Sequence, residues 1–508
     1  MSMVSKLKGL PLLVLALAIG ALVVGCGSSS SSSSSSGDHN FTGDGQPNID
    51  LAGNREAKSE INSGNVSQLK EAWSIPVEGQ GIYGSYASTP IIVNGVIYSQ
   101  DLESNVSAVD LESGDVLWET KFESPSHGPN GLAVAEGHVY GATNSGAFAL
   151  DQKTGKELWL TQLGGPVDMA PGVNDGKVYV STVPENTSAE YEAGAVGTLW
   201  AMDGKTGKKL WHFDTVPKDL WGEPNVNSGG GLWYPPSFDK QGNVYAGTGN
   251  PAPLPGTPNH PWGSSRPGDN RYADSLVKLD PNTGKLDWYY QETPHNIYDW
   301  DFQNSPIITK SGGKEVAIGS GKSGFVVAVD LKSGKVAWRT RVGVHNGHDK
   351  DPEYAMRGEY DKIKPGEVFP GALGGVISAM ASDGRRVYVP IINHSLTLRN
   401  GYETGEESTA EGEVEAIDLR TGKVVWEATF PGPAYGSLVV TNDVVFATSA
   451  EGTIHALSAN SGGEIWQAAL PSGTNAGVMV TGDMLVTGAG LPAAEGQVAK
   501  LVAFKIGG

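Results

Sequence analysis

The sequence predicts an all-β chain folded as an eight-bladed β-propeller. The first reason is a short pattern, A-x-D-x-x-x-G-x-x-x-W, laid down seven times along the chain. The second is its interval, mostly 40 to 52 residues between successive Trp positions, which is the length of one four-stranded blade. The third is glycine, 70 of 508 residues, about twice the ~7% of average proteins and suited to a chain of many tight turns.

The seven copies run Asp110–Trp118, Asp151–Trp159, Asp203–Trp211, Asp280–Trp288, Asp330–Trp338, Asp418–Trp426 and Ser458–Trp466. The last has Ser in place of Asp, and the Asp280 copy has Lys278 where the others have Ala. Asp bonds forward to backbone N–H groups and Gly adopts positive φ without steric cost, so Asp-x-x-x-Gly predicts a tight turn between antiparallel strands. The strand after it carries the Trp, whose broad face suits the seam between sheets.

An eighth Trp, in Val66-Ser-Gln-Leu-Lys-Glu-Ala-Trp73, has no turn before it and reads as a last strand without its sheet. At the other end, Gly477–Val480, Met484–Gly488 and Val498–Ile506 read as three strands without a Trp strand. Pairing the two sets completes an eighth blade, closes the ring and removes an exposed sheet edge.

Residues 1–26 read as a targeting segment. Lys6 and Lys8 precede an apolar run from Leu10 to Val24, too short and wrongly flanked for a spanning helix. The run ends in Val23-Val24-Gly25-Cys26, which resembles the bacterial lipobox, and this predicts lipidation at Cys26, the only cysteine in the chain. Residues 27–50, opening with Gly27 and the serines 28–36, read as a flexible tether, leaving 51–508 for the propeller. The expected location is extracytoplasmic, on a bacterial membrane facing the periplasm or the cell surface, with membrane contact through the lipid alone. A net charge of −20 disfavours nucleic acid as a partner.

Two intervals exceed what a blade needs: 77 residues from Trp211 to Trp288 and 88 from Trp338 to Trp426. Long inserts on a rigid ring are where sites concentrate. The first contains Gly229-Gly-Gly-Leu-Trp233, Gly-Thr-Gly-Asn250-Pro-Ala-Pro and Arg266-Pro-Gly-Asp269-Asn, and Thr-Pro-His295-Asn-Ile-Tyr-Asp299-Trp-Asp301 follows it.

In these motifs the chain resembles the quinoprotein alcohol dehydrogenases, which hold pyrroloquinoline quinone (PQQ) and calcium on the axis of an eight-bladed propeller. The resemblance implies that Glu192, Asn250 and Asp299 ligate Ca²⁺, that Asp299 is the catalytic base, that Trp233 is the floor under the quinone and that Lys322 is the cation beside its reactive carbonyl. These residue types suit the chemistry: a hard cation seeks six to eight oxygens, and a tricarboxylate cofactor in an acidic protein needs local positive charge. Plainer readings stand beside each role. Glu192 is also a solvated carboxylate in a polar loop, Asn250 a turn former before Pro251, Trp233 blade packing and Lys322 a solvated cation. Strand alternation would put Asp299 and Asp301 on one side, so either carboxylate can be the inward one.

The chain departs from that family at several positions. It has no adjacent cysteine pair to cover the quinone, Ala87 replaces an acidic residue, Gly374-Gly375 replaces an Asn-Trp pair, and Asp168 replaces a threonine that contacts the cofactor. No Cys-x-x-Cys-His is present, so electrons are expected to leave to a separate acceptor. His345-Asn-Gly-His348-Asp349 reads as a surface loop rather than a zinc site. The expected function is a tethered dehydrogenase of an alcohol or polyol. The alternatives are a non-catalytic scaffold like the propeller lipoprotein of outer-membrane assembly, and a polymer-binding ring.

Overall fold

A computed structural model describes residues 45–184, 192–408, 410–492 and 496–507. Cys26, the apolar run before it and most of the predicted tether lie outside the described residues. None of the described helices is long and apolar enough to cross a membrane.

The described residues form eight four-stranded sheets arranged in a propeller-like stack, with two smaller sheets added. Within a typical sheet the strands follow chain order, as in Ile91–Val93, Val96–Gln100, Val106–Asp110 and Val116–Thr120. Inner strands are buried on both faces: Val444–Ser449 has every residue buried, and Gly146–Asp151 all but its last. The fourth strands alternate instead, with exposed residues at every second position of Glu157–Gln162 and Val336–Arg341. One edge of each sheet therefore meets solvent while its faces are covered by neighbouring sheets.

The repeated pattern holds those faces together. Asp110 Oδ1 accepts from the Ser113 N–H at 2.9 Å, and Gly114 turns the chain at φ +76°. Trp73, on another sheet, lies against that glycine so closely that a Cβ there would sit 2.7 Å from the indole. Its N–H donates to the Leu111 carbonyl at 3.0 Å. The same clip recurs as Trp118 to Gln152, Trp159 to Gly204, Trp211 to Pro281, Trp288 to Leu331, Trp338 to Leu419 and Trp426 to Ala459, at 2.9 to 3.2 Å. Each Trp thus reads the backbone of the following turn, and its ring excludes any side chain larger than glycine there.

The alanine of the pattern is the Trp's cross-strand partner, as in Ala108 opposite Trp118 and Ala328 opposite Trp338. A small side chain there leaves the indole free to lean toward the next sheet. The ladder bulges immediately after that alanine in these sheets, adding twist where the turn begins. Lys278 replaces it opposite Trp288 and pairs with Asp287 at 3.2 Å.

The strand Leu69–Pro76 pairs antiparallel with Lys500–Ile506, placing Trp73 opposite Ala503 in the sheet that also holds Met479–Thr481 and Met484–Ala489. The final strand begins at Lys500 rather than Val498, which is exposed. The tether boundary also moves. Residues 45–49, assigned by sequence to a tether ending at 50, are buried, and Val134 N–H donates to Gly45 O at 2.7 Å. Ile49 contributes an apolar side chain to the core, a contact that a polar tether has no means to make.

Candidate active site

The two long inserts add local structure at one end of the sheets. The first forms the two-stranded ribbon Ser228–Gly229 with Pro251–Ala252. The second forms a three-stranded sheet, Gly366–Val368, Leu396–Leu398 and Thr404–Glu407, and the short helix Asp351–Met356. Val368, Leu396, Leu398 and Ala355 pack against Ile297, Tyr298 and Trp300, so the second insert braces the segment that carries Asp299.

Between these additions lies a cavity of about 530 Å³ whose lining includes Trp233, Asn250, Asp299, Asp301 and Lys322. It falls within the range of ligand pockets, and its remaining wall is largely apolar, with Ile82, Leu254, Pro255 and Leu373.

Lys322 is the hub of the polar wall. Its Nζ is 2.8 Å from Asp299 Oδ2 and 2.6 Å from Asp301 Oδ2, and the side chain is only 12% exposed. Burial acts against the ammonium, but the two carboxylates outweigh it and push its pKa up. Backbone contact sets this register: the Lys322 N–H donates to Asp301 O at 2.9 Å. Gly321 permits the approach, since a Cβ there would lie 1.9 Å from that same oxygen. Gly375, at one of the positions where the sequence departs from the family pattern, has φ +69° and would place a Cβ 2.2 Å from Lys322 O. A larger residue there displaces the hub.

Asp299 and Asp301 both face inward, but alternation along a strand is not the cause. Residues 293–306 are irregular, and Asp299 takes a left-handed φ of +63°. Asn296 holds the loop by accepting at Oδ1 from the Tyr298 N–H at 2.9 Å and the Trp300 N–H at 3.1 Å. Trp300 is anchored in turn by its indole N–H to Pro370 O at 3.0 Å. The Asp299 carboxyl is pushed up to about 7: burial raises it, Lys322 opposes, and Asp301 adds repulsion.

Asn250 is buried, and its backbone N–H donates to Asp301 Oδ1 at 2.6 Å. Gly249, one residue earlier, would place a Cβ 3.2 Å from that Oδ1 and 3.4 Å from the Trp233 indole nitrogen, so the glycines of the Asn250 motif make room for both. Trp233 lines the cavity with its buried indole N–H unpartnered.

The structure therefore gathers Trp233, Asn250, Asp299 and Lys322 about one cavity and adds Asp301. It does not gather Glu192. That residue is exposed and absent from the cavity lining, in a polar loop next to residues 185–191, which are outside the described residues. Its exposed position does not bring it to the donors on the cavity wall, where the resemblance expected it. Among the described residues no three His, Cys, Asp or Glu side chains converge as a metal site; the donors here are two carboxylates and one amide.

Sequence reasoning missed several supporting residues. Arg266 is fully buried and donates to Asn270 Oδ1, Pro253 O and Asn296 O, which ties the Asn250 motif to the Asp299 loop. Asp274 accepts from Asn296 Nδ2 at 3.1 Å, and burial raises its pKa well above the carboxylate range. His295, four before Asp299, is enclosed between Gly268 O and Trp262 O, and burial lowers it to about 4. It is a strut that does not line the cavity. The signal for Arg266 was present, because a charged residue between buried motifs needs a reason. Glu407, on the cavity lining from the second insert, had no sequence signal.

Asp168 is on the lining too, accepting from Ser126 Oγ and His127 N–H at 3.2 Å. His345 and His348 pair with Asp349 and Asp351 at 2.6 Å.

Residues 52–133 and 166–326 match the family profile described as glucose/ethanol/alcohol dehydrogenase, beta-propeller domain. Residues 371–506 match the profile described as outer membrane protein assembly factor BamB. The quinohemoprotein alcohol dehydrogenase of Comamonas testosteroni is 32% identical over 374 residues, 64% of this chain and 51% of that protein. The quinoprotein alcohol dehydrogenase PedH of Pseudomonas putida is 27% identical over 75% of this chain and 74% of its own. The chain thus spans about half the length of the first of these relatives. The solved Comamonas testosteroni structure aligns with TM-score 0.76 and 26% identity, covering 91% of this chain and 80% of that one. BamB from Moraxella catarrhalis aligns with TM-score 0.53 at 14% identity, over 86% and 97%, a likeness of fold alone.

Proposed function

We propose that this chain, a PQQ-repeat β-propeller similar to the quinoprotein alcohol dehydrogenases, oxidises an alcohol or polyol with PQQ and a calcium ion. The observation that carries the reading is the meeting of Asp299 and Lys322 at 2.8 Å on the wall of a cavity that also holds Trp233 and Asn250. The half-buried Trp233 indole and the open space beside it fit a flat ring laid against the floor. Asn250, Asp299 and Asp301 supply hard oxygen donors for the cation, without Glu192.

When bound, the quinone supplies the hydride acceptor and the cation polarises its carbonyl. The protein's own part is proton handling and orientation. Asp299, held near pH 7, takes the hydroxyl proton of the alcohol onto its carboxylate, and Lys322 beside it steadies the charge. Ile82, Leu254 and Leu373 accept the carbon chain and keep water from the reacting end. Electrons leave to a separate acceptor.

The eight four-stranded sheets support a closed eight-bladed ring, with Leu69–Pro76 as the strand that joins the ends. Lipidation at Cys26, and an extracytoplasmic, membrane-tethered location, rest on the sequence of the first 36 residues.

Reconstitution of the purified protein with PQQ and Ca²⁺, followed by dye reduction over an alcohol panel, tests the reading. Retained chromophore with Asp299-dependent turnover is expected. Neither chromophore nor turnover overturns it. The match of residues 371–506 to the BamB profile favours one second reading, a docking ring for membrane assembly proteins. Specific capture of such proteins, unchanged by Asp299→Ala, supports that instead.

A further inference from the structure

A second, small chamber of about 40 Å³ shares Trp233 with the first cavity as a lining residue. Its walls are mostly polar or small, and Arg55 projects into them from the N-terminal segment. That guanidinium is 1% exposed. Its Nε donates to Leu438 O at 2.5 Å, one terminal nitrogen to Pro47 O at 2.9 Å and Asn48 Oδ1 at 3.4 Å, and the other to Thr89 Oγ1 at 3.4 Å. All four acceptors are neutral. Five N–H groups thus meet four acceptors, two of them at the outer limit of hydrogen bonding.

A buried cation without a counter-charge is costly, because hydrogen bonds to neutral groups recover only part of the lost hydration. Among the described residues no carboxylate hydrogen-bonds to Arg55, and burial lowers the guanidinium to about 10. The chamber lining also holds two buried amide oxygens without a partner, Asn130 Oδ1 and Asn475 Oδ1. Asn130 is 4% exposed, its Nδ2 donates to Asp101 O at 2.6 Å, and its Oδ1 is unpartnered. Water by itself satisfies Asn130 but leaves the charge of Arg55 unbalanced. An anion beside the guanidinium with one water bridging to Asn130 satisfies both, and the volume suffices for that pair.

We propose that the small chamber lined by Arg55 and Trp233 is a binding site for a small inorganic monoanion of the size of chloride, held by Arg55, Thr89 and a water on Asn130. Trp233 lines both this chamber and the cavity proposed for PQQ. The anion neutralises the one guanidinium that the fold leaves unpaired in the chamber.

The experiment uses full-length protein without added cofactor, so its outcome is independent of the dehydrogenase reading. Crystals soaked in sodium bromide are measured at the bromine absorption edge. In parallel, the unfolding midpoint is followed against sodium bromide at ionic strength held constant with sodium gluconate. The expected result is an anomalous peak within hydrogen-bonding distance of the Arg55 guanidinium and a saturable rise in the midpoint, the rise being lost in Arg55→Met. A chamber without anomalous signal, together with a midpoint indifferent to bromide, overturns the proposal. Should Arg55→Met not fold, the wild-type bromide map decides by itself.

Discussion

Asp299 Oδ2 and Lys322 Nζ lie 2.8 Å apart, and the partnership sets where the carboxyl titrates. Burial and Asp301 push the Asp299 pKa up, Lys322 pulls it back, and the result is about 7. A general base must be ionised, so dye-linked kcat/KM is expected to rise with pH as Asp299 loses its proton and then to level off. Lys322→Met removes the opposing cation, and the acid limb should then move to higher pH. A limb that stays in place would show that Asp299 is not the group being titrated.

The same shift carries a stability consequence. The folded carboxyl binds its proton more tightly than the unfolded one, whose pKa is 3.8. Between about 4 and 7 the native state therefore holds more protons, and this residue's contribution to stability falls as pH rises through that window. Asp299→Asn should flatten the decline of the unfolding midpoint there. Turnover in the same variant should drop by about 10²- to 10⁴-fold.

Asn296 positions the base without touching the cavity, through its bonds to the Tyr298 and Trp300 N–H groups and to Asp274. Asn296→Ala should lower kcat more than it lowers stability, which should fall by about 1–3 kcal/mol. An unfolding titration on the variant, set beside its pH–rate profile, separates the two effects. Unchanged kcat would remove Asn296 from the positioning scheme.

Gly321→Ala places a methyl carbon 1.9 Å from Asp301 O. Relief requires the Lys322 and Asp301 segments to separate, so cofactor retention should be lost and stability should fall by about 1–3 kcal/mol. Gly463→Ala, at a glycine likewise without a left-handed φ and whose Cβ would meet only Ser461 Oγ at 3.4 Å, is the control without a clash. Equal effects in both would remove the clash with Asp301 O as the cause.

Trp426 clips Ala459 O at 3.0 Å and covers Gly462. Trp426→Phe keeps an aromatic face but loses the N–H, and should cost about 0.5–1.5 kcal/mol. Trp426→Ala also opens the seam, and should cost about 3–5 kcal/mol. Chemical denaturation orders the pair, and a Phe variant as damaged as the Ala variant would place the energy in the hydrogen bond.

The turn and the strand after it were legible because both depend on residues within eight positions of one another, and the Trp seam because the pattern recurs from sheet to sheet. Asp110 meets Ser113, and Gly114 must be glycine wherever an indole covers it. The pairing of Leu69–Pro76 with the last strand was legible by elimination, since each end lacked what the other had. Trp233, Asn250, Asp299 and Lys322 were found by motif, and all four line one cavity. Glu192 was placed by its spacing from a pattern, and spacing has no force in a loop whose polar residues are equally content in water.

The order of the chain by itself determined that it would be built of repeated four-stranded sheets, because the repeat writes its own turns and contacts locally. What only the tertiary structure decided is which way the loop side chains face. Asp299 and Asp301 both reach Lys322 because Asp299 adopts φ +63° and Trp300 is pinned to Pro370, 70 residues further along. Arg55 comes to line the same chamber as Trp233 through acceptors as distant as Leu438. Such directions are set by packing between segments far apart in sequence, where no periodicity exists to be read.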